Sequence, residues 1–199
     1  DNAIYTGGSA ISFVNGPMRK TGDEDFIFPV GKGAIYAPVS LTGGSGAMNT
    51  DLFTAEYIRN NPQSVYGNVY EVLAPPNNID HVSFVEYWTV TRDAGAANKF
   101  VTLTVNCESF NRNFNTLFVA KHDGTEWKNL LFSTRNSTGS CLPNVTGTIT
   151  TAAVVNNFSP FTLATSEPFT NNPLPVKLIS FDAVLETNKK ILLKWELAG

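Results

Sequence analysis

The stretch Phe100-Val-Thr-Leu-Thr-Val-Asn106 alternates apolar and polar side chains without interruption. A period of two puts Val101, Leu103 and Val105 on one face of an extended strand and Thr102 and Thr104 on the other. The same pattern recurs at Phe26, Phe28 and Val30, at Leu117 with Val119, and in the threonine-faced run 145–151. Gly, Pro, Asn and Thr punctuate the chain at short intervals, and the runs between them are rich in Val, Ile, Phe, Tyr and Thr, the residues that suit a pleated surface. A strand with one wet face belongs in an antiparallel sheet. Many such strands predict an all-β chain, an antiparallel sandwich of two sheets of immunoglobulin-like or jelly-roll-like kind.

Two segments test that reading. In 82–92, Val82, Phe84 and Trp88 share one parity and Val85 and Tyr87 the other, which fits a central strand covered on both faces or interrupted by a bulge. In 48–60, Leu52, Ala55 and Tyr57 fit a helix face, but Thr50, Phe53 and Thr54 favour a strand, and a strand is expected. No repeat of 20 to 50 residues is evident, which disfavours solenoids and propellers.

The C-terminal end divides the chain. Pro173 and Pro175 follow Thr170-Asn-Asn172 and read as a short stiff linker, so a module over 1–170, a linker over 171–175 and a separate start of a module over 176–199 are expected. Val176 and Leu178 share one parity and Phe181, Ala183 and Leu185 the other, so a bulge must shift the register near Ile179-Ser180. Ile191, Leu193, Trp195 and Leu197 alternate strictly and complete an additional hairpin. A lone hairpin is marginal in water, so its apolar residues require cover from the sandwich or from a neighbouring chain.

Charge limits the partners. A formal net charge of -3 and a charged fraction of 16% leave no cluster of Lys and Arg to neutralise phosphates, so nucleic acid is not an expected partner. No apolar run approaches the roughly 18 residues of a spanning helix, and no membrane insertion is expected. Any export signal would precede Asp1, and the span from Asp1 to Gly199 reads as a piece of a larger protein.

Chemistry-bearing motifs are sparse. Cys107 and Cys141 lack the close Cys or His spacing of a zinc site. They are either a disulfide, worth about 3–4 kcal/mol in the chain-entropy account, or two buried thiols. Gly31-Lys-Gly33 and Gly43-Gly-Ser-Gly46 lack the spacing of a phosphate loop and read as turns. His81 and His122 each adjoin an aspartate, Asp80 and Asp123; neighbours on a strand point to opposite faces, so surface turns are expected rather than a relay. Glu86, Asp93, Glu108 and Glu126 are the acids from which a glycosidase pair would be drawn, and solvent-facing positions are expected for them. Asp23-Glu-Asp25 is an acidic cluster with hard oxygens for calcium, but without the glycine-spaced order of a recognised loop. No cofactor is expected. Sugar rings stack on exposed aromatics, which makes Tyr57, Tyr87 and Trp127, with Tyr66 and Tyr70, candidate carbohydrate contacts; Trp88 and Trp127 serve equally well as core.

Several segments resemble one group of proteins. Phe13-Val-Asn-Gly-Pro-Met18 with Phe26-Ile-Phe-Pro-Val-Gly-Lys32, Tyr36-Ala-Pro38, Glu86-Tyr-Trp88 before Val101-Thr-Leu103, and Asp123-Gly-Thr-Glu-Trp127 resemble motifs of large Bacteroidetes surface and secreted proteins, many of them type IX secretion cargo. Phe158 to Thr165 and Pro173 to Val184 resemble the region before, and the opening of, their fibronectin-like module. Ala37 stands where those proteins carry an arginine. The resemblance implies an extracellular or outer-surface location and a non-catalytic role in adhesion, spacing or interaction, with other modules of the same polypeptide as partners. The alternative is a carbohydrate-binding module of a secreted polysaccharide-degrading enzyme, with polysaccharide or cell-surface glycan as partner.

Overall fold

The computed structural model describes residues 7–158, 160–174, 177–185 and 190–198. In chain order, β1 (Met18–Thr21), β2 (Phe26–Phe28), β3 (Gly31–Lys32), β4 (Ile35–Tyr36), β5 (Val39–Ser45) and β6 (Leu52–Ile58) precede a single helical turn, α1 (Gln63–Tyr66). Then come β7 (His81–Val82), β8 (Tyr87–Ala94), β9 (Asn98–Val105), β10 (Leu117–His122), β11 (Trp127–Asn129), β12 (Thr134–Cys141), β13 (Asn144–Thr150) and β14 (Phe161–Thr165). The hairpin of β15 (Lys177–Leu185) and β16 (Ile191–Ala198) ends the chain.

These strands form the expected antiparallel sandwich. One sheet runs β1-β6-β8-β14-β10-β11, with β7 also on β14, and the other runs β12-β13-β9-β5-β2. Alternation decides which residues meet between them. Val101, Leu103 and Val105 of β9, Val39 and Leu41 of β5 and Ile149 of β13 pack against Phe53, Ala55 and Tyr57 of β6 and Trp88, Phe161 and Leu163 of the facing sheet. Segment 48–60 is a strand as expected. Segment 82–92 is two strands instead of one: β7 ends at Val82 and β8 begins at Tyr87. Ala37 is fully buried, and its carbonyl accepts from the Trp88 indole at 2.8 Å.

Strand β10 is buried at all six positions. Leu117 and Val119 enter the sandwich, while Phe118 and Ala120 form a second cluster on the outer face with Ile79, Val82, Trp127 and Ala164. Tyr66 and Tyr70 cover that cluster. The segment carrying them is pinned to edge strand β11: Trp127 N donates to Val69 O at 2.8 Å, Glu71 N donates to Trp127 O at 2.9 Å and the indole Nε1 donates to Gly67 O at 2.9 Å. An edge that would otherwise invite another chain is thereby closed.

Cys107 and Cys141 form a disulfide with Cα atoms 5.8 Å apart. It links the turn after β9 to the end of β12, across the intervening β13. Gly31-Lys-Gly33 makes the β3–β4 hairpin, as read from sequence. Gly43 and Gly44 lie in a register shift between Thr42 and Ser45, where Gly44 takes φ +94° and any Cβ would overlap the Asn98 carbonyl.

One expectation at the C-terminal end is corrected. Asn172 and Leu174, read as linker, are fully buried, and Leu174 joins the main core. The asparagine side chain accepts from Arg112 N at 2.9 Å and donates to Asn113 O at 3.1 Å and Thr116 Oγ1 at 3.2 Å. Pro175 and Val176 lie outside the described residues. The hairpin has its predicted register shift, between Leu178 and Ser180. Ile191 and Leu193 are 65% and 48% exposed, so of the two covers expected for them, sandwich or neighbouring chain, the sandwich does not reach them. The side chains of Trp195 and Leu197 lie outside the described residues.

Candidate functional site

The three rings proposed for sugar stacking are core residues. Tyr57 and Trp127 are 0% exposed and Tyr87 is 5% exposed, which removes them as stacking platforms. The cause is parity in one case and cover in the others. Tyr57 shares the inward face of β6 with Phe53 and Ala55, its ring 5.2 Å from Trp88. Tyr87 and Trp127 face the opposite side of their sheet, where Tyr66 lies edge-on to both at centroid distances of 5.6 and 6.0 Å. The fold thus gathers Tyr87 and Trp127 beneath Tyr66 and leaves Tyr57 apart.

Tyr66 is half-buried and lines a surface hollow of about 390 Å³ with His122, Asp123, Asn157 and Pro160. The His122 ring lies 5.4 Å from Tyr66 and 5.1 Å from Trp127, and its Nδ1 accepts from Gly124 N at 3.1 Å. Asp123 is fixed by its own turn, with Oδ1 accepting from Glu126 N at 3.0 Å, Thr125 N at 2.9 Å and Thr125 Oγ1 at 2.8 Å. Those backbone donors, Glu126 first, hold its carboxyl well below the usual carboxylate range. Burial raises the Tyr66 phenol above its ordinary value. An ionised acceptor beside a partly exposed ring suits a polyhydroxylated ligand.

No protein-family model, curated protein or solved structure matches this chain. The chemistry of its own residues therefore carries the functional reading.

Asp23, Glu24 and Asp25 do not converge on a cation site. Lys20 pairs with the Glu24 carboxylate and lowers its pKa, while Lys99 Nζ donates to Asp23 O at 3.0 Å and Asp25 Oδ1 at 3.3 Å. No group of three metal-ligating side chains occurs among the described residues.

His81 and His122 are buried rather than in surface turns. Asp80 precedes β7 and is therefore free of the pleat that separates strand neighbours, so its Oδ1 reaches His81 Nδ1 at 2.8 Å. The other His81 nitrogen meets Asn172 O at 2.9 Å, and Phe169 stacks on the ring at 3.9 Å.

Glu86, expected toward solvent, is fully buried. Its Oε2 accepts from Tyr57 OH at 2.8 Å and lies 3.7 Å from Arg59 Nη1, while Oε1 has no hydrogen-bond partner among the described residues. Desolvation raises its pKa, opposed by Ser109, Tyr57 and Arg59.

Arg135 and Asn172 were not singled out by sequence reasoning. Arg135 sits in an exposed polar strand, Thr-Arg-Asn-Ser, and Asn172 in a Pro- and Asn-rich stretch, so neither carries a periodic or motif signal.

Proposed function

We propose that this chain is a non-catalytic, extracellular module of a larger exported protein, with an adhesion, spacing or interaction role at the cell surface. The Cys107–Cys141 disulfide carries the reading, since such bonds persist in oxidising compartments and are rare where thiols are kept reduced. The sealed position of Glu86 supports a structural rather than a catalytic use for this buried acid. The motif resemblance supplies the surface location and the neighbouring modules. The test is thiol labelling and protease shaving of intact source cells. The module should be protease-accessible and unlabelled without reductant; a reduced, protected, intracellular protein would refute the proposal. Turnover of any member of a polysaccharide and chromogenic-ester panel would refute its non-catalytic part.

A second reading is favoured by the Tyr66 hollow: a carbohydrate-binding module attached to a secreted polysaccharide-degrading enzyme. It no longer rests on Tyr57, Tyr87 and Trp127 as stacking platforms. Here Tyr66 presents the partly exposed ring and Asp123 the fixed acceptor. Glycan-array binding that disappears in Tyr66→Ala supports it, and binding indifferent to that change removes it.

A further inference from the structure

A second hollow, of about 260 Å³, lies at the other end of the β10–β14 pair, where Leu117 is paired with Thr165. Arg135 is its distinctive member. The Arg135 Nε donates to Leu117 O at 2.5 Å, and the guanidinium carbon sits 3.3 Å from the centre of the Phe132 ring. One edge and one face of the group are thus fixed.

Its charge is unanswered. Lys20, Lys99, Lys128 and Arg59 each meet a carboxylate, whereas Arg135, like Arg92 and Lys121, takes part in no ion pair among the described residues. Desolvation pulls its pKa down to about 10, which still leaves it cationic at neutral pH. A half-buried guanidinium with a free edge is preorganised for a planar carboxylate, which it can grip with two parallel hydrogen bonds.

The rest of the lining narrows the ligand. Asn77, Asn115 and Ser166 have side chains without hydrogen bonds among the described residues, so amides and a hydroxyl are ready for polar partners. Glu167 also lines the hollow, and its Oε2 accepts from Asn171 at 2.8 Å. That carboxylate opposes a compact dianion such as phosphate or sulfate, whose charge sits on one centre, and it accepts hydrogen bonds from hydroxyls. Leu131 and Phe132 add apolar surface. Leu131 holds φ +54°, a left-handed conformation costing about 1 kcal/mol or more outside glycine. The Asn129 side chain maintains it, accepting from Leu131 N at 2.6 Å and donating to Asn77 O at 2.7 Å. A single carboxylate, several hydroxyls and a ring with apolar faces describe a sugar acid.

We propose that the Arg135 hollow binds uronate-bearing saccharides, with the sugar carboxylate on the guanidinium and ring hydroxyls on Glu167, Asn77 and Asn115. This goes beyond the surface-module reading and is independent of the Tyr66 hollow.

Isothermal titration and amide-shift mapping of the full chain test it, with trigalacturonate, neutral galactotriose and sulfate as probes. Trigalacturonate should saturate and shift the amides of Leu131, Phe132 and Ser166, at least tenfold tighter than galactotriose, and more weakly as salt rises. Arg135→Gln should weaken it at least tenfold, and Tyr66→Ala should leave it unchanged. If Arg135→Gln does not fold, the exposed substitutions Asn77→Ala and Asn115→Ala each give at least threefold weaker binding. Equal affinity for galactotriose or sulfate, no saturation by trigalacturonate, or full affinity in the folded variants would overturn the proposal.

Discussion

The Tyr57 hydroxyl donates to Glu86 Oε2 at 2.8 Å with both side chains buried. Burial raises the Glu86 pKa, so the folded chain keeps that proton to higher pH than the unfolded chain does. Stability from the neutral carboxyl is complete below the ordinary carboxyl value, near pH 4, and is lost as pH climbs through the raised value. Glu86→Gln mimics the neutral form. Its melting temperature relative to the parent should therefore rise as pH climbs above the ordinary carboxyl value of about 4, as followed by thermal melts; parallel curves would contradict this. Glu86→Ala instead strands the Tyr57 hydroxyl and costs about 1–3 kcal/mol.

Trp127 and Tyr66 differ in burden despite their contact. Trp127→Ala removes a fully buried indole and its bond to Gly67 O, and should cost about 3–5 kcal/mol in denaturant unfolding. Tyr66→Ala, at the mouth of the hollow, should cost less than half of that. Similar losses for both would contradict the arrangement.

Asn172 is a tie point where a linker is expected from sequence. Asn172→Ala removes acceptors and donors for Arg112 N, Asn113 O and Thr116 Oγ1, and should cost about 2–4 kcal/mol, while exposed Asn171→Ala changes little. A chain ending at Leu174 should melt with the parent sandwich transition, and one ending at Asn171 well below it. Calorimetry distinguishes the two.

Reducing the Cys107–Cys141 bond, or replacing both residues by Ser, frees a 34-residue separation and should lower stability by about 3–4 kcal/mol in the chain-entropy account. Urea midpoints with and without reductant measure it, and an unchanged midpoint would show that the bond is absent from the folded protein.

Much of the sandwich was legible because strand alternation is a local signal. Val101, Leu103 and Val105, and Phe53, Ala55 and Tyr57, announce their inward faces, and the change of parity after Leu178 announces its bulge. Burial from a second direction was not legible. The cover over Trp127 and Phe118 comes from a Pro- and Asn-rich stretch that reads as loop, so the sequence offers Tyr87 as a sugar contact and Trp127 equally as contact or core. Asp80 and His81 were kept apart by a rule that holds only within a pleat. Arg135 is conspicuous only in three dimensions, where no acid among the described residues meets it.

The bonds from Trp127 to Gly67, Val69 and Glu71 also set how the cover can come away. Releasing it breaks three hydrogen bonds and wets the indole in one event, so intermediate openings are penalised as heavily as the full one. The cover therefore behaves as a clasp with two positions, and in hydrogen exchange the Trp127 and Glu71 amides should report a single shared opening instead of fraying from one end.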